Sequence, residues 1–395
     1  MVDIENQLSA AIDDRVAGLV AATDLAERAR RGGRRRRRAH SLAVAAGAVI
    51  AIGAVAAIPM LTPSTPAAPA SRPLRPTGPP RFVVAATTPV VNEAPAPSWT
   101  SAQPLHPAVR PVVLDALTGR VLHPISVPPG LSWSWSLVAA APDDRTFVLS
   151  ARTAAPQTSF SFYRVHLDED GRPSAPTLIP GSVSTRLGVP RSIALSPDAT
   201  QLAYSSDAAD SRQITIIDVA TGRRHAWSEP RNGLLWSASW APDGHRLAFT
   251  SEGQNGVMTV RILDTTRPGS DLTAASSPVP GLSSVHTNVW SVTYCPDGTC
   301  MIANGVYLPT GSVAAVQVAY GQILRIPLAG GSPVELARSG LGRMHLSLDG
   351  TGRYLIYTQG QSITRLDLNT GQTRKFTPAP SGTPRAKTDA LYAAW

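Results

Sequence analysis

Short runs of alternating apolar and polar residues recur from about residue 140 to residue 395, and each run follows a turn of similar sequence. In the clearest turns, Pro fixes φ, Asp caps the turn with its carboxylate, and Gly tolerates the positive φ that leads into the next strand. The period-two alternation predicts β-strands with one buried face. The five units read APDDRTFVLSA at 141–151, SPDATQLAYSS at 196–206, APDGHRLAFTS at 241–251, CPDGTCMIANG at 295–305 and SLDGTGRYLIY at 347–357.

The spacing of the turns predicts how these strands assemble. When positions 142, 197, 242, 296 and 348 are taken as equivalent, the separations are 55, 45, 54 and 52 residues. This is the period of a four-stranded propeller blade with variable loops. The later units add a third strand that ends in a turn such as ATGRR or NTGQT. These third strands are predicted at Ile214–Val219, Met258–Leu263, Ile323–Leu328 and Ile363–Leu368.

The two ends of the repeat region predict that the sheets close into a ring. Ala390–Trp395 resembles the strand before each turn, whereas Arg81–Ala86, Val109–Asp115 and Arg120–Ile125 resemble the strands after one. Pairing them (Velcro closure) gives an all-β, six-bladed β-propeller over 81–395 and removes exposed sheet edges. The Pro-rich stretch 89–111 is then a loop of the closing blade. The alternative is that 89–111 is the linker and Arg81–Ala86 is no blade strand.

The repeated motif resembles that of a known family of folds. Ser/Ala-Pro-Asp-Gly followed by a strand, with a later strand ending in Asp before a Thr-Gly turn, is similar to TolB-like and WD-repeat-like propellers, including those of prolyl oligopeptidase-type peptidases. The resemblance covers 81–395 and implies the fold, but it does not specify function, because propellers serve as binding modules, enzymes and scaffolds. A peptidase would need a G-x-S-x-G motif, which the sequence lacks.

The N-terminal part predicts a membrane anchor. Residues 41–61 include an uncharged apolar run at 42–61, long enough to span a bilayer. Residues 1–40 end in a basic flank that should stay in the cytoplasm, so the propeller is expected outside the cell membrane. The alternatives are a cleaved secretory peptide and a twin-arginine export signal. The residues expected to set the orientation are Arg34, Arg35, Arg36, Arg37 and Arg38.

Composition and charge refine this picture. Residues 62–80 are rich in Pro and predict an extended linker. The formal net charge is +9, but nine Arg lie within residues 1–40, beside the predicted span. An Arg run in that place contacts anionic lipid more often than nucleic acid. We therefore expect a membrane protein with no nucleic-acid partner.

The cytoplasmic segment is predicted to form an amphipathic helix over residues 3–30. Leu8, Ile12 and Val16 follow one another at a spacing of four residues and continue a stripe from Ile4 to Val20. Self-association or the inner membrane surface could cover this stripe, but its acidic neighbours favour a cytoplasmic protein partner. The layout looks like that of bacterial membrane-bound anti-sigma factors, although the His and Cys cluster of the zinc-containing members is missing.

The two cysteines flank one of the turns. Cys295 and Cys300 should face each other across a hairpin, within reach of a disulfide if they form a non-hydrogen-bonded pair. An oxidising exterior permits the bond; the alternative is two small buried thiols. The spacing is not typical of a metal site.

A search for catalytic chemistry favours a non-enzymatic protein without a cofactor. The eight His form no H-E-x-x-H pattern, and the recurrent Asp residues are explained by turn chemistry. We assign Trp236, Trp290 and Trp395 to packing between blades. Polar residues at the starts of the innermost strands should line the channel mouth and would suit an anionic or sugar-like ligand, or this rim is simply solvated. These residues are Arg191, His286, Asn288, Arg343 and His345.

Taken together, the sequence predicts a single-pass membrane protein whose outer propeller binds a ligand or a protein and signals through the inner helix. One alternative is an exported propeller enzyme of the lactonase or glycan-lyase type, which would need carboxylates or His for a metal around the channel. Another is a scaffold for envelope proteins.

Overall fold

A computed structural model describes most of the C-terminal part of the chain. The chain divides into two units, residues 1–67 and 68–395, and everything described lies in the second. Among the described residues, no helix is long and apolar enough to cross a membrane. The predicted span at 42–61 and helix at 3–30 lie outside them and stay predictions. The described residues are 78–89, 110–128, 133–153, 159–182, 190–207, 210–253, 257–279, 282, 287–307, 320–339, 344–360, 362–378 and 389–395.

The described strands form six antiparallel four-stranded sheets, as the all-β propeller prediction requires. From the innermost strand outwards, the closing blade is β24 (Asp389–Ala394), β1 (Phe82–Pro89), β2 (Val112–Asp115) and β3 (Val121–Pro124). Blade 2 is β4 (Trp133–Ala140), β5 (Thr146–Thr153), β6 (Phe160–His166) and β7 (Thr177–Leu178). Blade 3 is β8 (Pro190–Leu195), β9 (Gln201–Asp207), β10 (Ser211–Asp218) and β11 (Arg224–Pro230).

The remaining three blades follow the same order. Blade 4 is β12 (Leu235–Trp240), β13 (Arg246–Glu252), β14 (Met258–Asp264) and β15 (Ser276–Pro278), with the short helix α1 (Leu272–Ala275) before its last strand. Blade 5 is β16 (Thr287–Tyr294), β17 (Cys300–Tyr307), β18 (Tyr320–Pro327) and β19 (Val334–Ser339). Blade 6 is β20 (Leu346–Leu348), β21 (Tyr354–Gln359), β22 (Ser362–Asp367) and β23 (Thr373–Phe376).

The closing blade combines strands from both ends of the propeller. In β1, Val84 pairs with Ala394 of β24 on one side and with Val113 of β2 on the other. The innermost strands contact one another in a closed circle, β24 to β4, β8, β12, β16, β20 and back to β24. The predicted closure is therefore confirmed. The alternative that excluded Arg81–Ala86 from the blades is wrong, because β1 is hydrogen-bonded on both edges.

The core lies between the blades. Six clusters of buried apolar side chains fill the junctions between neighbouring sheets, one cluster at each junction. Each cluster takes side chains from the faces of two adjacent blades, which is where the period-two alternation places the apolar residues. A blade cannot bury its apolar faces alone, so the stability of each depends on its neighbours.

The turns after the inner strands share one hydrogen-bond pattern. In blade 4, Ala241 N donates to Arg246 O at 2.7 Å and Gly244 N donates to Ala241 O at 3.0 Å. In blade 6 the same two bonds run from Asp349 N to Tyr354 O and from Gly352 N to Asp349 O, each at 3.0 Å.

The prediction for this last turn was wrong by two residues. Gly350, not Leu348, occupies the position of Pro242. The error arose because the Asp-Gly pair at 349–350 imitates the motif two residues before its true position. The true turn residues, Gly350 and Thr351, replace the Pro and Asp of the other turns.

The inner strands of blades 2 to 5 carry a β-bulge near their beginning. The register shifts lie between Trp135 and Val138, Pro190 and Ser192, Leu235 and Ala238, and Val289 and Ser291. Polar side chains of the second strands bond main-chain groups at this level: Leu137 N donates to Ser150 Oγ at 3.0 Å, and Thr250 Oγ1 donates to Trp290 O at 3.2 Å. A β-bulge changes the direction in which nearby side chains point. These four bulges lie on the innermost strands, beside the central channel.

Candidate functional site

The inner strands surround a central channel with two different ends. The strands begin at one end and run into the turns at the other, so the two mouths are built from different parts of the repeat. Near the turns the channel holds a cavity of about 160 Å³. The ends of all six inner strands line this cavity, together with Pro142, Pro197, Pro242 and Pro296 of the turns and with His345.

His345 lies inside the channel, one residue before β20. Its Nδ1 donates to the carbonyl of Ala393 at 3.0 Å, which fixes the ring against the neighbouring inner strand and leaves Nε2 as an acceptor. The ring also packs edge-on against Tyr392, with centroids 5.7 Å apart. Burial lowers the pKa of His345 to about 4, so the imidazole is neutral at physiological pH.

Arg191 lies at the other end, at the bulge of β8. Its Nε donates to Asp207 Oδ2 at 3.1 Å, and its guanidinium carbon lies 5.1 Å from the ring centroid of Trp236 in the next blade. Burial raises the pKa of Asp207, although Arg191 opposes this effect. Asp207 Oδ1 is buried and accepts no hydrogen bond within the described part of the chain. The charge of Arg191 is thus balanced by a buried partner that the sequence did not reveal.

Trp236 and Trp290 occupy the same position in successive blades as Arg191. Both are half-buried, whereas Trp395, which we placed with them in the core, is 4% exposed, and Trp240 is 6% exposed. The sequence predicts packing for Trp236, because nothing in the alternation of apolar and polar residues reveals a bulge. A signal was present: the residues four positions before Trp240 and Tyr294 are both Trp.

Of the other predicted rim residues, only Asn288 lies within the described part of the chain. Asn288 lies in β16, opposite Val306. His286 and Arg343 fall outside the described residues, as do the predicted helix residues Leu8, Ile12 and Val16 and the basic cluster Arg34–Arg38. The structure therefore brings Arg191 together with Asp207 and Trp236, and it places His345 deeper in the channel.

The recurrent Asp residues cap turns. Asp297 accepts from Thr299 N at 3.0 Å and from Thr299 Oγ1 at 2.8 Å, and these hydrogen bonds lower the pKa of its carboxyl. Asp243 accepts from the N–H groups of His245 and Arg246. Burial acts to raise the pKa of Asp243, but those donors and the Arg246 guanidinium lower it overall. Carboxylates that accept such hydrogen bonds are ionised, and their oxygen atoms are engaged by backbone N–H groups of the turn.

The two cysteines form a disulfide across the turn of blade 5, with Cα atoms 5.3 Å apart. Their main chains are hydrogen-bonded, Cys295 N to Cys300 O at 2.9 Å, so the pair differs from the expected non-hydrogen-bonded arrangement. With Asp297 they are the one group of three potential metal ligands found within the described ranges. The disulfide occupies both sulfur atoms, and the carboxylate bonds Thr299, so these residues do not fit a metal.

Comparison with solved structures identifies the fold. No family model matches the sequence, and no curated protein matches it. TolB from Acinetobacter baumannii has a TM-score of 0.53 at 16% identity over 80% of this chain and 66% of that chain, just under two thirds of its length. A putative TolB from Agrobacterium tumefaciens has 0.47 at 12% identity, over 80% of this chain and 98% of that one.

A third similar structure is not named as a TolB protein. Kuenenia stuttgartiensis hydrazine synthase has a TM-score of 0.42 at 18% identity, over 66% of this chain and 71% of that one. At such identities the likeness shows the fold alone. The chain is therefore a six-bladed propeller of TolB-like fold.

Proposed function

We propose that the chain is a membrane-anchored, extracytoplasmic propeller that binds another protein at the channel end where the inner strands begin, without catalysing a reaction. The observation that carries this proposal is the pairing of Arg191 with Trp236 across two adjacent inner strands. Arg and Trp are the residue types that dominate protein–protein binding energies, most of all when a scaffold holds them rigidly. Here bulged strands and the buried Asp207 carboxylate fix the pair.

A small anionic or sugar-like ligand is the weaker candidate for the same end. Asp207 already neutralises the charge of Arg191, so a free anion would compete with a buried ion pair. The enzyme alternative needs metal-binding or catalytic groups around the channel. The channel groups described above are a neutral His345, capped carboxylates and the Arg191–Asp207 pair, and they favour binding over catalysis. An envelope scaffold that uses the outer faces of the blades remains the third alternative.

The anchor and the inner helix complete the proposal. The uncharged run at 42–61 and Arg34–Arg38 support a single span with the propeller outside. The apolar stripe through Leu8, Ile12 and Val16 supports a protein partner on the cytoplasmic side. Binding outside would then be coupled to a cytoplasmic partner through one span.

Site-specific photo-crosslinking in cells tests the binding end. A photoreactive amino acid at Trp236 should give a protein adduct, and the yield should fall when Arg191→Ala is added. The matched control is the same amino acid at Leu117, which is 59% exposed on the turn side of the closing blade. Adducts at Leu117 but none at Trp236 would reject the proposed end and favour a scaffold that binds through other faces.

A further inference from the structure

The closing blade has no turn between its first two strands, because β24 and β1 come from opposite ends of the propeller. In blade 4, the turn residue Asp243 accepts from His245 N at 2.8 Å and from Arg246 N at 3.1 Å, where β13 begins. The N–H groups of Arg81 and Phe82 are the equivalents in the closing blade. They lie where β1 begins, and the residues before them, Gly78–Pro80, carry no carboxylate.

Asp144 of blade 2 supplies the missing carboxylate. Arg81 N donates to its Oδ2 at 2.7 Å, and Phe82 N donates to its Oδ1 at 3.4 Å. Asp144 is 7% exposed, so these donors bond it in a largely dry place. The neighbouring Asp143 caps the turn of blade 2 itself, through Arg145 N and Thr146 N. Two successive carboxylates thus serve two different blades.

The backbone of Asp144 shows that its own turn does not require this residue. Asp144 stands at the turn position that is Gly in blades 4, 5 and 6, and its φ is +58°. A side chain at positive φ is strained relative to Gly. In blade 3, Ala199 has the same φ of +58° but no side-chain polar atom. The strain at Asp144 therefore has a local compensation, which is the pair of N–H groups from β1.

We propose that Asp144 is a clasp that holds the N-terminal strand β1 in the closing blade and replaces the turn carboxylate that this blade lacks. Gly171 and Arg145 of blade 2 also contact β1, through the ring of Phe82. The Phe82 ring packs so tightly on Gly171 that a Cβ there would lie 2.5 Å from a ring carbon. The guanidinium carbons of Arg81 and Arg145 lie 5.2 and 5.8 Å from the centroid of that ring.

The clasp is sensitive to pH. Burial raises the pKa of Asp144 to about 6, although Arg81 N, Phe82 N and the Arg145 charge oppose this, and the Asp143 charge adds to it. From the closing-blade side Arg81 faces the group, and Asp349 of blade 6 lines the same small space. The folded protein binds the proton on Asp144 more tightly than the unfolded chain does. Protonation therefore increases the stability of the closed ring as the pH falls towards 4, and this increase is lost as the pH rises through 6.

Hydrogen exchange of the β1 amides in the full-length protein tests the clasp. Asp144→Gly restores the repeat's usual turn residue and removes the carboxylate, while Ala199→Gly makes the same backbone change in blade 3. We expect Ala199→Gly to leave β1 exchange unchanged and Asp144→Gly to accelerate it about fivefold or more, the effect of losing a cap. Equal β1 exchange in the two variants would overturn the proposal.

A second variant decides the question even if Asp144→Gly does not fold. Asp144→Asn keeps an acceptor for Arg81 N but cannot ionise. Both proteins in this comparison carry His345→Gln, because the titration of His345 in this range would oppose that of Asp144. After correction for intrinsic rates, β1 exchange in the protein that keeps Asp144 should slow about tenfold from pH 7 to pH 5, as a carboxyl with a pKa near 6 requires. In the protein with Asp144→Asn, β1 exchange should not change with pH. Exchange that is independent of pH with Asp144 present, or that keeps its pH dependence with Asp144→Asn, would reject the clasp.

Discussion

The indole Nε1 of Trp395 donates a hydrogen bond to the main-chain carbonyl of Ser347 at 3.1 Å. Trp240 makes the equivalent bond to Ala194, also at 3.1 Å. Trp240 is the last residue of β12 and Trp395 directly follows β24, and each reaches the inner strand of the preceding blade. Trp395 thus joins the closing blade to blade 6 in the same way as an internal blade is joined to its neighbour.

Replacing this residue should weaken the whole ring. Trp395→Ala removes a large buried side chain and should lower the free energy of unfolding by about 3–5 kcal/mol. Trp395→Phe keeps an aromatic ring but loses the N–H donor, so we expect a smaller loss, about 1–2 kcal/mol. Denaturant unfolding of the full-length variants measures both. Leu117→Ala, at an exposed turn, is the control and should change little.

A chain that ends at Thr388 extends this test, since it lacks β24 and leaves one edge of β1 unpaired. It should be less stable than Trp395→Ala. Unfolding of the shortened chain at the same denaturant concentration as the complete one would contradict closure by β24.

Two glycines separate backbone strain from contact between blades. Gly222 and Gly371 occupy equivalent turns and have φ values of +74° and +72°. A Cβ at Gly222 would lie 2.6 Å from Pro180 O of blade 2, whereas a Cβ at Gly371 would meet nothing within 4 Å. Gly371→Ala should lower stability by about 1 kcal/mol through φ strain alone.

Gly222→Ala should lower stability further, by about 2 kcal/mol or more in total, because main-chain atoms must also move apart. Thermal unfolding of the two variants measures the difference. Equal melting temperatures would mean that the turn of blade 3 does not pack against blade 2 as described.

His345 gives a pH dependence opposite in sign to that of Asp144. Because burial lowers the pKa of His345 to about 4, its contribution to stability is present above pH 6.5 and is lost as the pH falls through 6.5 towards 4. The loss amounts to up to about 3 kcal/mol. Both proteins in the test should carry Asp144→Asn, so that only one group titrates.

The measurement is the stability of that protein with and without His345→Gln at pH 7 and pH 5. The variant should be less sensitive to acid, since Gln does not titrate and can donate to Ala393 O. An unchanged loss of stability between the two pH values would show that His345 is not the group responsible.

Much of this fold follows from the sequence, because its turns use residues with a direct backbone function. Pro242, Asp243 and Gly244 each have a physical role, so strands on both sides of such a turn could be placed. Blade 6 shows the limit: Gly350 and Thr351 replace Pro and Asp, and the prediction slipped by two residues. The site was harder to foresee. Asp207 joins Arg191 only after folding, and no alternation pattern predicts the bulges at which Arg191 and Trp236 lie.

The inner helix separates signalling from simple anchoring. Leu8→Asp combined with Ile12→Asp disrupts the apolar stripe and leaves the predicted span and the propeller unchanged. If a cytoplasmic protein binds there, the double variant should lose that protein in a pull-down of the intact membrane protein and keep any outer partner. An unaltered set of partners would contradict transmembrane signalling, and the outer binding role would stand.

The side of the membrane on which the propeller lies tests the whole account most directly. The chain has two lysines, the exposed Lys375 of β23 and Lys387, which lies outside the described residues. An amine reagent that cannot cross membranes should label Lys375 in intact cells. It should reach the N-terminal amine only after lysis, and the labelled protein should remain in the membrane fraction with residues 1–61 intact. Labelling of Lys375 only after lysis, or a soluble protein that begins beyond residue 56, would contradict the account.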